Sequence, residues 1–393
     1  MMRTLLLSLL LLSNGLLAMD LSDIIEEALQ KSPSLEVIQA RLKANRQNID
    51  IADQFANPEL LLSKNTLDSS QAMSQTVLSL KQKIPYFFKR ARKEDVALAE
   101  ENLLKERLRA AKVKLAGSIK TTAYEIWELR ELTAVIDEYI MLTKRNITLY
   151  ESYTSMSDNQ HMGIMKAELS LSDLQVQKTL LVSQMAQAYA RLSALAAFRI
   201  KQVDVDLKIT NRPQLQSYKE SLRFNPDIAL QDKEVQKQEA KVELSDINNY
   251  PDVNLLAAYA YREKYDNYFN FGVGLSLPIY GTEDAKEEEA RALLLAKRSQ
   301  KRDTQLSVNA VLEVYYAQML ASYNIYHIIQ DDALPQVAHM FELSNSSIAT
   351  GSDLFKYIDV LFQKLDLEKK SIIATANYNR AEAKIAELQG KIK

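Results

Sequence analysis

The 393-residue chain contains no cysteine, which excludes a disulfide scaffold and a lipid-anchored terminus, since the latter needs a cysteine just after the cleavage point. Only eight glycines and eight prolines are present, so breaks are few and helices should be long. Three histidines (His161, His327, His339) and no Gly-rich loop after a strand leave no catalytic constellation and no cofactor site. Lys plus Arg number 49 against 51 for Asp plus Glu, so no charge excess points to nucleic acid. Beyond the first eighteen residues no long apolar run occurs. If the mature chain crosses a membrane, it must do so as β-strands.

The N-terminus has a basic residue, Arg3, a leucine-rich run from Leu5 to Leu12, and Leu16-Leu17-Ala18 before Met19-Asp20. This reads as a signal peptide over residues 1–18. The stretch from Thr4 to Ala18 is too short to span a bilayer comfortably.

The scarce prolines mark an internal duplication. Pro33 and Pro226, Pro58 and Pro251, and Pro85 and Pro278 are each 193 residues apart. Internal repeats decide the fold that a sequence can adopt, and these divide the chain into a first repeat, 19–210, and a second, 211–393. In each, a helix follows the first proline (34–55 and 227–247) and ends before the second, because proline cannot continue the ladder. Two short alternating segments follow, at about 59–84 and 252–277, and the third proline stops the second of them.

The clearest strand of the first hairpin is Thr76–Ile84, with Leu78, Leu80 and Ile84 on one face and Ser79, Lys81 and Lys83 on the other. Its partner, Leu60–Lys64, is poorly patterned. In the second hairpin Val253, Leu255, Ala257, Tyr259 and Tyr261 share a face, as do Phe269, Phe271, Val273, Leu275 and Leu277. Such strands suit a sheet half-buried in a soluble domain, and equally a bilayer-spanning hairpin.

Long helices follow each hairpin, over about 87–200 and 282–392, each folding back at a small-polar turn (Ser155–Gly163 and Ser344–Gly351). Thr282, with Glu283 and Asp284 behind it, supplies an N-cap and acidic first turn. Pro335 should kink the second helix rather than end it. About 70 residues at 1.5 Å each reach on the order of 100 Å, which calls for coiled-coil partners. Residues 203–209 alternate and suit one small strand. The expected class is mainly α with a small β part. Four strands per chain cannot close a membrane barrel, for which about eight is the minimum, and open edges in lipid are forbidden. A membrane reading therefore requires several copies.

Leu21-Ser-Asp-Ile-Ile-Glu-Glu-Ala-Leu-Gln-Lys-Ser-Pro-Ser-Leu resembles the opening signature of the TolC-like outer-membrane efflux proteins. Asn225-Pro-Asp-Ile and Asn249-Tyr-Pro-Asp-Val-Asn-Leu are similar to the start of that family's second repeat. Phe271-Gly-Val-Gly-Leu-Ser-Leu-Pro-Ile-Tyr resembles its last strand, and Ala349-Thr-Gly-Ser-Asp-Leu its second periplasmic turn. The resemblance implies a homotrimer that joins its strands in one barrel, with long helical hairpins forming an α-barrel in the periplasm. It also implies an exit duct that docks a periplasmic adaptor and an inner-membrane transporter and contacts outer-membrane lipid.

On that resemblance Gly163, Ile164, Gly351 and Leu354 mark the tips where an adaptor would dock, although Gly163 and Gly351 can equally be helix terminators in the left-handed conformation. Asp353 and Asp359 become acids that narrow the duct, as rings of like charge, or else solvated helix-face acids. Pro58, Pro85, Pro251 and Pro278 are the junctions between strands and helices. His161 with Met162 and Met165 offers soft donors for a metal, against the plainer reading of incidental turn residues. Lys89, Arg90, Arg92 and Lys93 would meet lipid head groups or water. The alternative to a duct is a periplasmic coiled-coil scaffold or adaptor without a pore.

Overall fold

The computed structural model describes residues 19–66, 68, 71–152, 158–348 and 354–392. Strand β1 (Met19–Asp20) leads into helices α1 (Leu21–Lys31) and α2 (Pro33–Ala52), then strands β2 (Glu59–Lys64) and β3 (Gln75–Ile84). Helices α3 (Lys89–Glu151) and α4 (Asp158–Ala196) follow, then β4 (Val203–Asp204), α5 (Leu215–Ser221) and α6 (Pro226–Asn248). The chain ends with β5 (Asp252–Arg262), β6 (Tyr268–Ser276), α7 (Thr282–His327), α8 (Leu334–Ile348) and α9 (Leu354–Leu388). The order helix, strand, strand, long helix, returning helix thus occurs from α2 to α4 and again from α6 to α9. Strands β2 and β5 begin directly after Pro58 and Pro251, while β3 ends directly before Pro85.

The chain forms two compact units. One comprises residues 1–36, 111–225 and 307–393, the other 37–110 and 226–306. In the first, α1, α3 and α4 bury Ile24, Ala28, Ala116, Ile119, Ala123 and Leu192 with Ala376 of α9. Small residues at this helical spacing let backbones approach, and Gly117 is the extreme case. A Cβ there would lie 3.3 Å from the Cβ of Glu387 on α9. A second cluster joins Ile136, Tyr139 and Ile140 of α3, Ile164 and Leu174 of α4, and Leu361 of α9. The half-buried Glu128 meets Arg380 at 2.5 Å, yet burial pushes its carboxyl above the ordinary 4.5, outweighing the pull of Arg380. The residues at 203–209 pair only through β4, parallel to β1, with Met19 opposite Val203.

Pro335 is accommodated by a change in the local winding of its helix. Ile328–Ala333 form a π-helix, in which the N–H of Leu334 reaches the carbonyl of Ile329. A proline lacks the N–H for a normal turn and crowds the carbonyl four residues back, and one wide turn relieves both. Such a turn takes up one extra residue. The buried positions record it: Ser322 and Ile329 are seven apart, but Ile329 and Val337 are eight apart. The α7 helix starts at Thr282, one residue earlier than a Thr282 cap would place it, and Gly281 at φ +70° precedes it. That left-handed backbone suits glycine.

In the other unit β2, β3, β5 and β6 form one antiparallel sheet in the order β2-β3-β5-β6. Asn45 of α2 donates to the carbonyl of Ala97 on α3 at 2.8 Å, and Gln238 of α6 donates to that of Ala290 on α7 at 3.1 Å. Both partners of the second bond stand 193 residues after those of the first, so one buried polar contact is made twice.

Candidate membrane-facing sheet and helix ends

Strand register decides what the sheet presents, because neighbours in register share a face. Leu60 and Leu62 stand opposite Leu80 and Leu78. Those in turn stand opposite Ala257 and Tyr259, which face Phe271 and Phe269. Val253 and Leu255 meet Leu275 and Val273. One face is therefore predominantly apolar across all four strands, interrupted by Gln82 opposite Leu255 and by Lys64 opposite Thr76, and its large apolar side chains are mostly exposed, Phe271 at 82%. The opposite face carries Ser79, Lys81, Lys83, Asn254, Asn270, Gly272, Gly274 and Ser276 in the same register. The weakly patterned β2 joins this scheme through Leu60 and Leu62. Its run of three leucines hid the alternation, and only pairing with β3 shows which leucine points where. Among the described residues no helix is long and apolar enough to cross a membrane. The two edge strands, β2 and β6, each have one neighbour within the chain.

Where β3 ends before Pro85 and β5 begins after Pro251, a polar lock holds strand to helix. Tyr86 stacks on Tyr250, ring centroids 4.6 Å apart. Its N–H donates to Asp252 at 3.1 Å. Lys89, only 7% exposed, reaches the same carboxylate at 2.8 Å and the carbonyl of Tyr250 at 2.6 Å. Lys83 binds the other carboxylate oxygen at 3.0 Å. The basic run is thus largely engaged within the chain rather than presented to lipid. Arg90 pairs with Asp53 at 3.3 Å and lies over the Phe55 ring, while Arg92 pairs with Glu243 at 2.7 Å. Lys93 remains exposed. A run of like charge reads as a solvated face only until its acidic partners, distant in sequence, are folded beside it.

The helix ends correct two expectations. Gly163 is neither a turn residue nor left-handed: it is buried inside α4, which begins at Asp158. Ile164, expected at an adaptor-facing tip, is buried in the cluster shared by α3, α4 and α9. The apolar spacing of Ile164, Ala167 and Leu174 starts immediately, and packing it outweighs the roughly 1 kcal/mol that glycine costs a helix interior. Leu354 opens α9. Gly351 and Asp353 lie outside the described residues. Asp359 is half-exposed and forms an ion pair with Lys166 of α4. His161, Met162 and Met165 are exposed on α4, and among the described residues no group of three or more His, Asp or Glu could hold a metal.

Residues 217–391 match the family model described as outer membrane efflux protein. A comparison with curated proteins finds no match. Among solved structures, a membrane protein from Pseudomonas aeruginosa superposes with a TM-score of 0.81 at 14% identity, over 94% of this chain and 90% of that one. The open state of the Neisseria gonorrhoeae MtrE outer membrane channel gives 0.79 at 14% identity, over 94% and 89%. The outer membrane protein VceC from Vibrio cholerae gives 0.78 at 16%, over 94% and 96%. At these identities the likeness is one of fold.

Proposed function

We infer that this chain, a TolC-like protein whose residues 217–391 match the outer membrane efflux family, is the outer-membrane exit duct of a tripartite efflux or secretion system. The observation that carries this is the sheet: an exposed apolar face in register over four strands, a polar face behind it, and two edge strands. In water that face would be a liability, and in lipid the edges would be. Both are satisfied when copies join edge to edge into a barrel with the apolar face outward and the polar face toward a lumen. Following the family resemblance, three copies contribute their strands, and the helices line the periplasmic part.

The duct is a passage rather than an enzyme, and the family it matches is one of transport. The recurrence of the helix-to-carbonyl bond at Asn45 and Gln238, together with the proline spacing, supports two repeats at 19–210 and 211–393. A periplasmic adaptor, itself joined to an inner-membrane transporter, would dock where α3 passes to α4 and where α8 passes to α9, the latter end carrying Leu354 at the start of α9, with Gly351 and Asp353 before it in sequence. Leu354→Asp should abolish export while the assembled protein still reaches the outer membrane. Loss of the assembly itself would assign Leu354 to packing instead.

The reading is tested most directly by reconstitution. The protein should need detergent for extraction, fractionate with the outer membrane, and open discrete conductance steps in a planar bilayer. A chain released as soluble protein, with no conductance, would favour the poreless scaffold.

A further inference from the structure

Between α3, α7 and α9 lies a hollow of about 600 Å³, the size of a small-molecule site. All of its lining residues belong to the first compact unit. Its chemistry is one-sided. Asn377, Arg380 and Lys384 line it from α9, at the steps of three and four residues that share a helix face. Arg380 donates to Asn377 at 2.7 Å. The acids paired with the two cations, Glu128 and Glu387, do not line the hollow, and among the described residues no other acid does. From α7, Gln318 and Ser322 add an amide and a hydroxyl. Ser322 is only 6% exposed, yet among the described residues no protein group takes up its hydroxyl. Ala321, Ile325 and the ring of Tyr315 supply an apolar wall.

The hollow also has a definite side. The segment that precedes α6 covers other faces of the same helices. On α7, the hydroxyl of Tyr218 meets the sulfur of Met319 at 3.9 Å, and Lys219 pairs with Glu313 at 2.9 Å. On α9, Tyr378 donates to the carbonyl of Asn211 at 2.7 Å and Asn379 to that of Lys208 at 3.3 Å. With about 100° of turn per residue, these contacts point on average roughly 160° away from the residues that line the hollow. In the wall of a tube such an added layer lies outside, so the hollow opens toward the bore.

We propose that this hollow is a site in the duct wall for small amphipathic organic anions, carboxylates above all, a reading that rests on the conduit above and names a class of cargo. Arg380 and Lys384 receive the acid group in charge-assisted hydrogen bonds, with Gln318 and Ser322 as neutral donors. The apolar wall covers the hydrocarbon part. A neutral analogue forfeits the charged contact, and a cationic one meets like charge.

Naphthoate is a probe of this shape, titrated by calorimetry against the assembled protein in lipid nanodiscs. It should bind at least about tenfold more tightly than naphthamide, and naphthylmethylamine should bind most weakly. Lys384→Gln should weaken naphthoate about tenfold. Gln318→Glu, which places an acid in the hollow, should abolish naphthoate binding and favour the amine. Naphthoate bound equally by the parent and both variants, or naphthamide bound as well as naphthoate, would overturn the site. The absence of cysteine lets Ile325→Cys report the side. Labelled with a sulfonated maleimide in a planar bilayer, it should lower the channel conductance, and naphthoate should slow the labelling. Complete labelling with unchanged conductance would place the hollow outside the bore and overturn the cargo assignment. A conducting parent that binds no naphthoate would overturn this site and leave the conduit standing, whereas a parent without conductance would remove both.

Discussion

Two single residues show how packing overrules what a side chain would do alone. At Gly117 the helix gains about 1 kcal/mol of propensity from alanine, but Glu387 must swing away and give up its 2.8 Å ion pair with Lys384, a half-exposed pair worth at most about 1 kcal/mol. Gly117→Ala should therefore stay within about 1 kcal/mol of the parent protein. Gly117→Leu, with Glu387 Cβ already 3.3 Å from the new Cβ, should lose roughly 1–3 kcal/mol. Thermal unfolding of the two variants checks this, and an equally stable leucine variant would show that α3 and α9 can part. Glu128 gives a pH dependence. Its folded carboxyl sits above the ordinary 4.5 because burial outweighs Arg380. The favourable linkage is thus fully present below 4.5 and is lost as pH rises through the folded value. The margin in melting temperature of the parent over Glu128→Gln should narrow over that rise, and a margin that widens would contradict the direction.

At the scale of elements, the sheet and the π-turn each set one face against another. Phe271→Arg puts a charge on the apolar face, at a cost of about 2–4 kcal/mol near the bilayer midplane. Asn270→Arg, one position along on the polar face, should insert far better. Assembly into vesicles or outer membranes, followed by protease protection, measures both, and equal losses would count against a transmembrane hairpin. The π-turn predicts an asymmetry. Deleting Asp332 together with Pro335→Ala lets α7 and α8 run as one α-helix with Val337 still inward, so the protein should fold. Inserting one alanine after Gln330 turns α8 by about 100°, exposes Val337 and should cost roughly 2–4 kcal/mol of lost core packing. Melting curves in detergent distinguish the two, and equal tolerance would mean that the phase of α8 does not matter.

For the whole molecule the governing fact is that one copy presents surfaces it cannot itself cover. Among the described residues the four-stranded sheet has two edge strands, and most large apolar side chains on one of its faces are exposed. Extracted protein should have an oligomeric mass, a trimer on the family resemblance, and should not dilute to a folded monomer. Mass photometry or native mass spectrometry in detergent reads this directly, and a stable monomer would defeat the barrel.

Much of this was legible in the chain itself. Three proline pairs at one spacing marked the hairpins, the scarcity of breaks marked long helices, and alternation in Val253–Leu277 marked the apolar strand face. Those signals are local, set by backbone covalency and by periods of 2 and 3.6 residues. What only the tertiary structure decided depends on partners far apart in sequence. Lys89 is read from its neighbours as a solvated cation and is buried because Asp252 and the Tyr250 carbonyl come to it. Ile164 looks like a turn residue beside a glycine and is core because α9 covers it. Met19 and Val203 pair over two residues, too few for any pattern to show. Strand β2 has three leucines in a row, and nothing short of its register with β3 could assign their faces, since a pleat has two sides and a run of identical residues names neither.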